Sequence, residues 1–494
     1  MKKQTINDLF MGYTDIKIPS EELANTCFEA EITINEAGDD SLLFITDKVR
    51  ENETIFDFLW CDKKPIAAVA SHSKNIVNQK CPIIRVGNPR EALSYAVSNS
   101  CMIDYGKIKF IGVTGTNGKT TTATLIYEIL CLCGYKAGFI GTGKIICNGT
   151  LLSDEMYSMT TPDPTLLYPC IKKMSEDGCE YIVMEVSSHS ISLGKIAPIR
   201  FEYAIFTNLD DEHLDFHESK EEYFNTKLSL FSSVKQGLFN LDDSYSRKAA
   251  QLVSCKVSTF GILNEGDAYA TEISASDLSN VSFFYRADNL IFKADTQLLG
   301  QFNVYNALAA LKCVIDLGIK PCIAKRAIAQ IASVEGRMQM FGEEIKAFID
   351  YAHTPSAFKN CLITLKSGVT AGQKLIVVFG CGGNRDRSKR SFFGMQAEKY
   401  ADIIIITEDN SRNEALGSIV KDITSGIKSK EYKVIPDRES AIRYAFKSAN
   451  RGDIIAIIGK GHERYKIVGN EYISFDERKI IIDAMKSRVN SLCE

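Results

Sequence analysis

Residues 112–122 read GVTGTNGKTTT, a glycine-broken loop that follows an apolar run and closes on Lys-Thr. Such a loop can curl so that its backbone N–H groups face phosphate, while Lys119 neutralises phosphate charge and the Thr120 hydroxyl ligates Mg²⁺. Gly112, Gly115 and Gly118 allow that curl; Val113 stands where the strict Walker pattern has Gly or Ala. An ordinary glycine-rich turn is the competing reading, and the strand before and helix after the loop speak against it. Glu185 closes the run YIVME, where a carboxylate can reach a magnesium near Thr120. His213 lies in TNLDDEHLDFH, and five of the six histidines (189, 213, 217, 353 and 462) fall in loops of this kind.

Lys227 is a different case. In EEYFNTKLSLF, residues Phe224, Lys227, Leu228 and Phe231 repeat at helical spacing, which puts the lysine on the apolar stripe. A buried ammonium must snorkel to water, pair, or lose its charge. From the segment alone two readings stay open. The side chain snorkels, or a neutral amine takes up CO₂ and becomes a metal-binding carbamate.

These residues need a scaffold, and the chain offers one. KFIGV (109–113), AGFIGT (137–142), YIVMEV (181–186) and YAIFTN (203–208) read as strands buried on both faces, as in a parallel sheet between helices. After Lys119 an amphipathic helix runs to Gly134. SFFYRADNLIFKADTQL, within 267–299, predicts a small antiparallel meander turning at Asp288 and Asn289, followed by the helical NVYNALAALKCVIDLG. A second α/β series follows Arg337: AFIDY (347–351), KLIVVFG (374–380), ADIIIIT (401–407) and GDIIAIIG (452–459). Ligands of open α/β sheets bind beyond the carboxyl ends of strands, so the loops after these runs are the candidate sites. The first hundred residues read as a smaller α/β domain, with boundaries near 105 and 336.

At 494 residues, three domains of roughly 100–200 residues each are expected. A net charge of -4 gives no general attraction for nucleic acid or anionic membrane. No apolar run approaches the roughly 18 residues of a spanning helix, and no apolar stretch follows Lys2 and Lys3 as in a secretory leader. The 15 cysteines are scattered without a C-x-x-C pair, which points to reduced thiols in a cytoplasmic protein.

GVTGTNGKTTT, MTTPD (159–163), MEVSSHS (184–190), TNLDDEHLDFH, YFNTKLSLF, GQFNVYNALAA (300–310), EGRMQ (335–339), DYAHTP (350–355), FGCGGNRDRSKR (379–390), DNSR (409–412) and GKGHE (459–463) stand in this order. Together they resemble the Mur ligases, nearest the muramyl-tripeptide synthetase type. The resemblance implies three α/β domains: a UDP-binding domain at 1–105, a central phosphate-loop ATPase domain at 106–336, and a Rossmann-like, amino-acid-binding domain at 337–494. It implies an ATP- and Mg²⁺-dependent, ADP-forming ligase that phosphorylates a carboxylate and lets an amine attack the acyl phosphate. The expected substrates are UDP-N-acetylmuramoyl-L-alanyl-D-glutamate and a diamino acid, and the expected state is a monomer.

By the same resemblance the loop residues Gly115, Thr116, Asn117, Gly118, Lys119, Thr120 and Thr121 hold the nucleotide, with Asn303 and Asn306 at the adenine. Arg337 and Asp350 come from the C-terminal side to the phosphates and ribose. Thr120, Glu185, His213 and a carbamylated Lys227 hold magnesium. Thr160, Thr161, Ser187 and Lys195 face the acceptor, and Arg385, Asp409, Asn410, Arg412, Gly459 and Glu463 receive the amino acid. The chain departs from the family on the acceptor side. Leu193 and Lys195 replace a glutamine and an arginine, Glu212 replaces the aspartate before the metal-loop histidine, and the uridine motif Asp-Ser-Arg leaves only a trace in TINEAGDDSLLF (33–44). Family members that add meso-diaminopimelate carry Asp-Asn-Pro-Arg where DNSR stands here, and lysine-adding members lack the arginine.

Overall fold

The computed structural model describes residues 4–28, 31–35, 38–46, 63–73, 81–153, 160–210, 212, 217–276 and 278–493. The fold is α/β, and the described residues form three main sheets that follow one another along the chain, with a fourth of two strands. Among the described residues the N-terminal sheet has five short strands, in the order 16–17, 83–86, 67–71, 42–44 and 32–34. Its helix Pro89–Ser100 packs on the central helix Pro164–Glu176.

The central sheet contains the apolar runs that the sequence marks as strands. Lys109–Thr114 lies between Tyr181–Glu185 and Phe201–Phe206, parallel to both. Alternating side chains of these strands enter two different cores, which explains why the runs are apolar throughout. Ile111 and Val113 join Leu125, Ile129 and Leu308 on one face. Phe110, Ile182 and Met184 join Leu167 and Ile171 on the other. The meander forms as predicted (Ala268–Ser276, Asn280–Ala287, Leu290–Thr296). It is not a separate sheet: Phe260 and Gly261 pair in parallel with Ala268 and Tyr269, so it extends the main sheet at one edge.

The C-terminal sheet has the order 339–341, 346–350, 454–458, 375–379, 403–406 and 432–434, parallel except for the first strand. A two-stranded hairpin, Tyr465–Val468 with Glu471–Ser474, stands beside it. In both large sheets the parallel strands end on a common side, so the loops after them converge. The cysteines from Cys81 to Cys381, and Cys27, are free thiols, and among the described residues no helix is long and apolar enough to cross a membrane.

Candidate active site at the junction of two domains

The glycine-rich loop connects Lys109–Thr114 to the helix Lys119–Leu132. Two of its glycines are required by the backbone. Gly115 (φ 139°) and Gly118 (φ 86°) lie in the left-handed region, and a Cβ at either would strike Thr207 or Asn306. Lys119 folds back over the loop, donating to the carbonyls of Gly115 (3.0 Å) and Thr116 (2.8 Å). Burial lowers its pKa, and nearby Glu212 and Glu185 oppose the shift.

The register of the sheet brings the metal candidates to this loop. Glu185 pairs with Val113 across the parallel ladder, and so ends beside the loop with its carboxylate fully buried. Oε1 accepts from the Thr142 backbone N–H (2.8 Å), and Oε2 accepts from the hydroxyls of Thr120 (2.8 Å) and Thr142 (3.2 Å). Thr120 Oγ1 also accepts from Arg337 Nη2 at 2.9 Å, a contact that crosses from the C-terminal segment. A hydroxyl and a carboxylate are hard oxygen donors suited to Mg²⁺. His213, the other expected ligand, lies outside the described residues.

Lys227 does not snorkel. It is 1% exposed, on the inner face of the helix Lys220–Ser229. Its ammonium donates to the Gly115 carbonyl (2.9 Å) and lies 4.5 Å from the centre of the Tyr223 ring. Burial, and then the positive charge of Lys119, push its pKa well below that of an ordinary lysine, with Glu212 opposing. Of the two readings, snorkelling is excluded, because the nitrogen is buried against the phosphate loop and does not reach water.

Beside the loop opens a cavity of about 1160 Å³, walled by Asn117, Gly118 and Thr121, by Asn303 and Asn306, and from the C-terminal side by Arg337 and Asp350. Asn306 Nδ2 donates to Asn303 Oδ1 (2.8 Å) and its Oδ1 accepts from Thr122 (3.2 Å), which fixes the amide behind the loop. Asp350 is a brace: its two oxygens accept the backbone N–H groups of Met338 (2.7 Å) and Ala352 (2.8 Å), on either side of the strand. Burial raises its pKa, and Arg337 opposes that.

The acceptor candidates gather below the Glu185 strand end. Thr161 Oγ1 donates to the Glu185 carbonyl (3.0 Å), Ser187 caps the short helix Ser188–Ser192, and Thr160 is half-buried next to them. Lys195 is 3% exposed and pairs with Asp163 (2.7 Å), so its ammonium braces the TTPD loop.

The amino-acid candidates form a second cluster in the C-terminal domain. Asp409 and Asn410 are buried at the end of the strand Ile403–Ile406, and Glu463 is half-buried after the Gly459–Gly461 turn. Arg412 (φ 51°) donates through Nη1 to the carbonyls of Gly383 (3.0 Å) and Asn410 (3.4 Å), and its backbone is bonded to the hairpin at Ile467 and Gly469. Arg385 is exposed, and it and Arg412 both pass Gly382. Burial would raise the Asp409 carboxyl, but Lys460 and Arg438 outweigh it and hold the group below the usual carboxylate range.

Two family models match the chain, the Mur ligase middle domain over residues 113–314 and the Mur ligase glutamate ligase domain over residues 336–461. The chain is 40% identical over 404 residues to the UDP-N-acetylmuramoyl-L-alanyl-D-glutamate–2,6-diaminopimelate ligase of Caldanaerobacter subterraneus, covering 81% of this chain and 82% of the relative. It is 35% identical over 436 residues to the Geobacillus thermodenitrificans enzyme of that name, covering 85% and 88%. A solved structure of a ligase of that name superposes with a TM-score of 0.68 at 26% identity, over 98% of this chain and 99% of that one. The chain belongs to the Mur ligase family. It is an ATP-dependent, ADP-forming ligase, as members of that family are.

The Mur ligase site contains contacts between domains that the motifs do not give. His353 Nε2 meets Glu212 Oε1 at 2.6 Å, and Ser356 donates to Asp210. Thr354 donates to Asn117 Oδ1 and Asn117 Nδ2 donates to Ser356 Oγ, each at 3.2 Å. The loop after Asp350 is thus hydrogen-bonded directly to the phosphate loop. His353 and Thr354 lie in DYAHTP with Ser356 just beyond it, and Asp210 and Glu212 lie in TNLDDEH, but only the fold brings the segments together.

Proposed function

We propose that this Mur ligase joins a diamino acid, meso-2,6-diaminopimelate by preference, to UDP-N-acetylmuramoyl-L-alanyl-D-glutamate in peptidoglycan synthesis. The three parts then divide the work: residues 1–105 hold the UDP-sugar, 106–336 bind ATP, and 337–494 bring the amine. ATP transfers its γ-phosphoryl to the terminal carboxylate of the acceptor. That step gives the carboxyl carbon a leaving group, and the amine displaces phosphate to form the amide.

Lys119 and Arg337 stand where they balance phosphate charge while two anions are brought together. The hydrogen bonds from the C-terminal loop to Asn117 hold that loop against the phosphate loop, where exclusion of water would protect an acyl phosphate. Thr120 and Glu185, with His213 and a carbamylated Lys227, would hold magnesium, which would supply charge neutralisation between phosphate and carboxylate. Asn303 and Asn306 line the cavity, where they would meet the adenine.

The observation that carries the choice of amine is Arg412. Its Nη1 is anchored to two backbone carbonyls, so the guanidinium is held in place beside the buried Asp409–Asn410 pair. Diaminopimelate has a distal carboxylate that a guanidinium fork binds through charge-assisted hydrogen bonds, and lysine has none. With lysine, the remaining guanidinium donors would lack a carboxylate partner in a closed site. Ser411 replaces the family's proline and leaves the loop less rigid, so selectivity is looser than a Pro-Arg loop would give.

The test is a panel of acceptors and amines assayed for ADP release, with products identified by mass. Wild type should prefer meso-diaminopimelate to L-lysine, and Arg412→Ala should lower kcat/KM for diaminopimelate by roughly 10–100-fold. L-lysine should be little affected. Equal or better use of L-lysine by the wild type would overturn the choice of amine. The same panel addresses a second reading, that the acceptor is a different carboxylate, which the Lys195–Asp163 pair and the missing uridine motif favour.

A further inference from the structure

Lys460 is fully buried between the residues expected to receive the amino acid. A lysine in that position must have its charge matched closely, because desolvation of an ammonium is costly. Its Nζ is 2.9 Å from Asn410 Oδ1, 2.9 Å from Glu463 Oε2 and 3.9 Å from Asp409 Oδ1. The two hydrogen bonds therefore go to Asn410 and Glu463, while Asp409 is an ion-pair partner without one. Neutralising Asp409 does not by itself explain this geometry. Arg438 also acts on that carboxylate, and it is anchored by a buried pair with Glu477.

The two hydrogen bonds determine where the neighbouring atoms point. Asn410 Oδ1 accepts from both Lys460 Nζ and the Ile467 N–H (3.0 Å), and its Nδ2 donates to Glu463 Oε2 (2.8 Å). Two donors on one side and an acceptor on the other fix the amide in one orientation. Glu463 Oε2 receives Lys460 and Asn410 together, which turns Oε1 away from the cluster. The Tyr351 hydroxyl approaches Oε1 at 3.4 Å, a weak contact that leaves capacity for a further donor.

We propose that Lys460 is a positioning residue of the amine-receiving site: its ammonium locks the Asn410 amide and aims Glu463 Oε1 at the ammonium group of the incoming amino acid. This rests on the reading of Asp409, Arg412 and Glu463 as that site. The Lys460 ammonium bonds Asn410 and Glu463 rather than the phosphate-loop or acceptor candidates, so its removal should act on amine capture and spare the earlier phosphoryl transfer.

The experiment uses Lys460→Met, close in length and uncharged, in the full-length protein with UDP-N-acetylmuramoyl-L-alanyl-D-glutamate and meso-diaminopimelate. Two readouts are taken. One is the steady-state constants for each substrate. The other is positional isotope exchange within ATP in the presence of acceptor and the absence of amine, which reports reversible acyl-phosphate formation alone. Loss of two charge-assisted hydrogen bonds should raise KM for diaminopimelate by at least about 10-fold. KM for ATP and for acceptor, and the exchange rate, should stay within about twofold of wild type.

An unchanged diaminopimelate KM with exchange intact would overturn the proposal. So would loss of exchange together with every other activity, because Lys460 would then be a support of the fold as a whole. Glu463→Gln is assayed alongside. If it leaves diaminopimelate KM unchanged, the amine-site reading itself fails. If it raises KM and Lys460→Met does not, only the role of Lys460 fails.

Discussion

Lys119→Ala should abolish ATP turnover and leave the protein folded. The side chain is positioned for phosphate and for little else. Its ammonium bonds two carbonyls of the same loop, Gly115 and Thr116, and an ammonium has three donors, so one remains for a ligand. Loss of a preorganised charge at developing phosphate charge should lower kcat by on the order of 10²–10³-fold or more. The stability term has the opposite sign. Lys119 is desolvated, which lowers its pKa, and its positive charge also depresses Lys227. Alanine removes a desolvated, half-buried charge and a like-charge neighbour of Lys227 together, so Tm should be unchanged or slightly higher. Acceptor-dependent ADP release and a thermal melt on the same sample check both halves. Turnover near the wild-type rate would remove the phosphate-loop assignment, and a collapsed Tm would make the loss of activity a folding effect.

What the sequence reveals of this site follows from how local each feature is. The phosphate loop is legible because its strand, glycines, lysine and helix are contiguous, and the left-handed φ of Gly115 and Gly118 is a property of the loop alone. Burial of Lys227 is legible from helical spacing, since Phe224 and Phe231 of the same segment are buried with it. The Glu185–Thr120 contact needs a sheet register, and periodicity supplies strands but not their pairing. The contacts Glu212–His353 and Asn117–Thr354 are less legible still: they join segments far apart in the chain across two domains, and no local pattern encodes them. The same holds for the meander, whose three strands are evident from alternation while its attachment through Phe260 and Gly261 is not. Lys460 was invisible for a different reason. In GKGHE it resembles a solvated loop lysine, and only the placement of Asn410 and Glu463 around it shows that its ammonium is buried.

Lys227→Ala should abolish ligation, and small carboxylic acids should restore part of it. The reasoning starts from the charge. Two lysines, 119 and 227, both donate to the Gly115 carbonyl, and each ammonium raises the cost of the other. The deeper burial effect on Lys227 favours its uncharged form, the form with a nitrogen lone pair able to attack CO₂. Addition of CO₂ to that amine releases a proton and creates a carbamate. A repelled cation is thereby replaced by an anion that attracts Lys119. The new oxygens would also lie in the loop that contains Thr120, where hard donors suit Mg²⁺. Alanine removes nitrogen and carbamate alike, and the expected loss is on the order of 10²–10³-fold in kcat, as for other groups that preorganise charge at a reacting phosphate. Formate or acetate at millimolar concentration should bind the vacated space and recover a measurable fraction, whereas chloride should not. Degassed, CO₂-free buffer should slow the wild type, with activity returning on addition of bicarbonate, and should leave the alanine variant unaffected. Assays of ADP release under these buffers, with intact-protein mass spectra under non-denaturing conditions, read the effect. Full activity in Lys227→Ala, or a wild type indifferent to CO₂ and carrying no added carboxylate, would leave Lys227 as a buried brace of the phosphate loop.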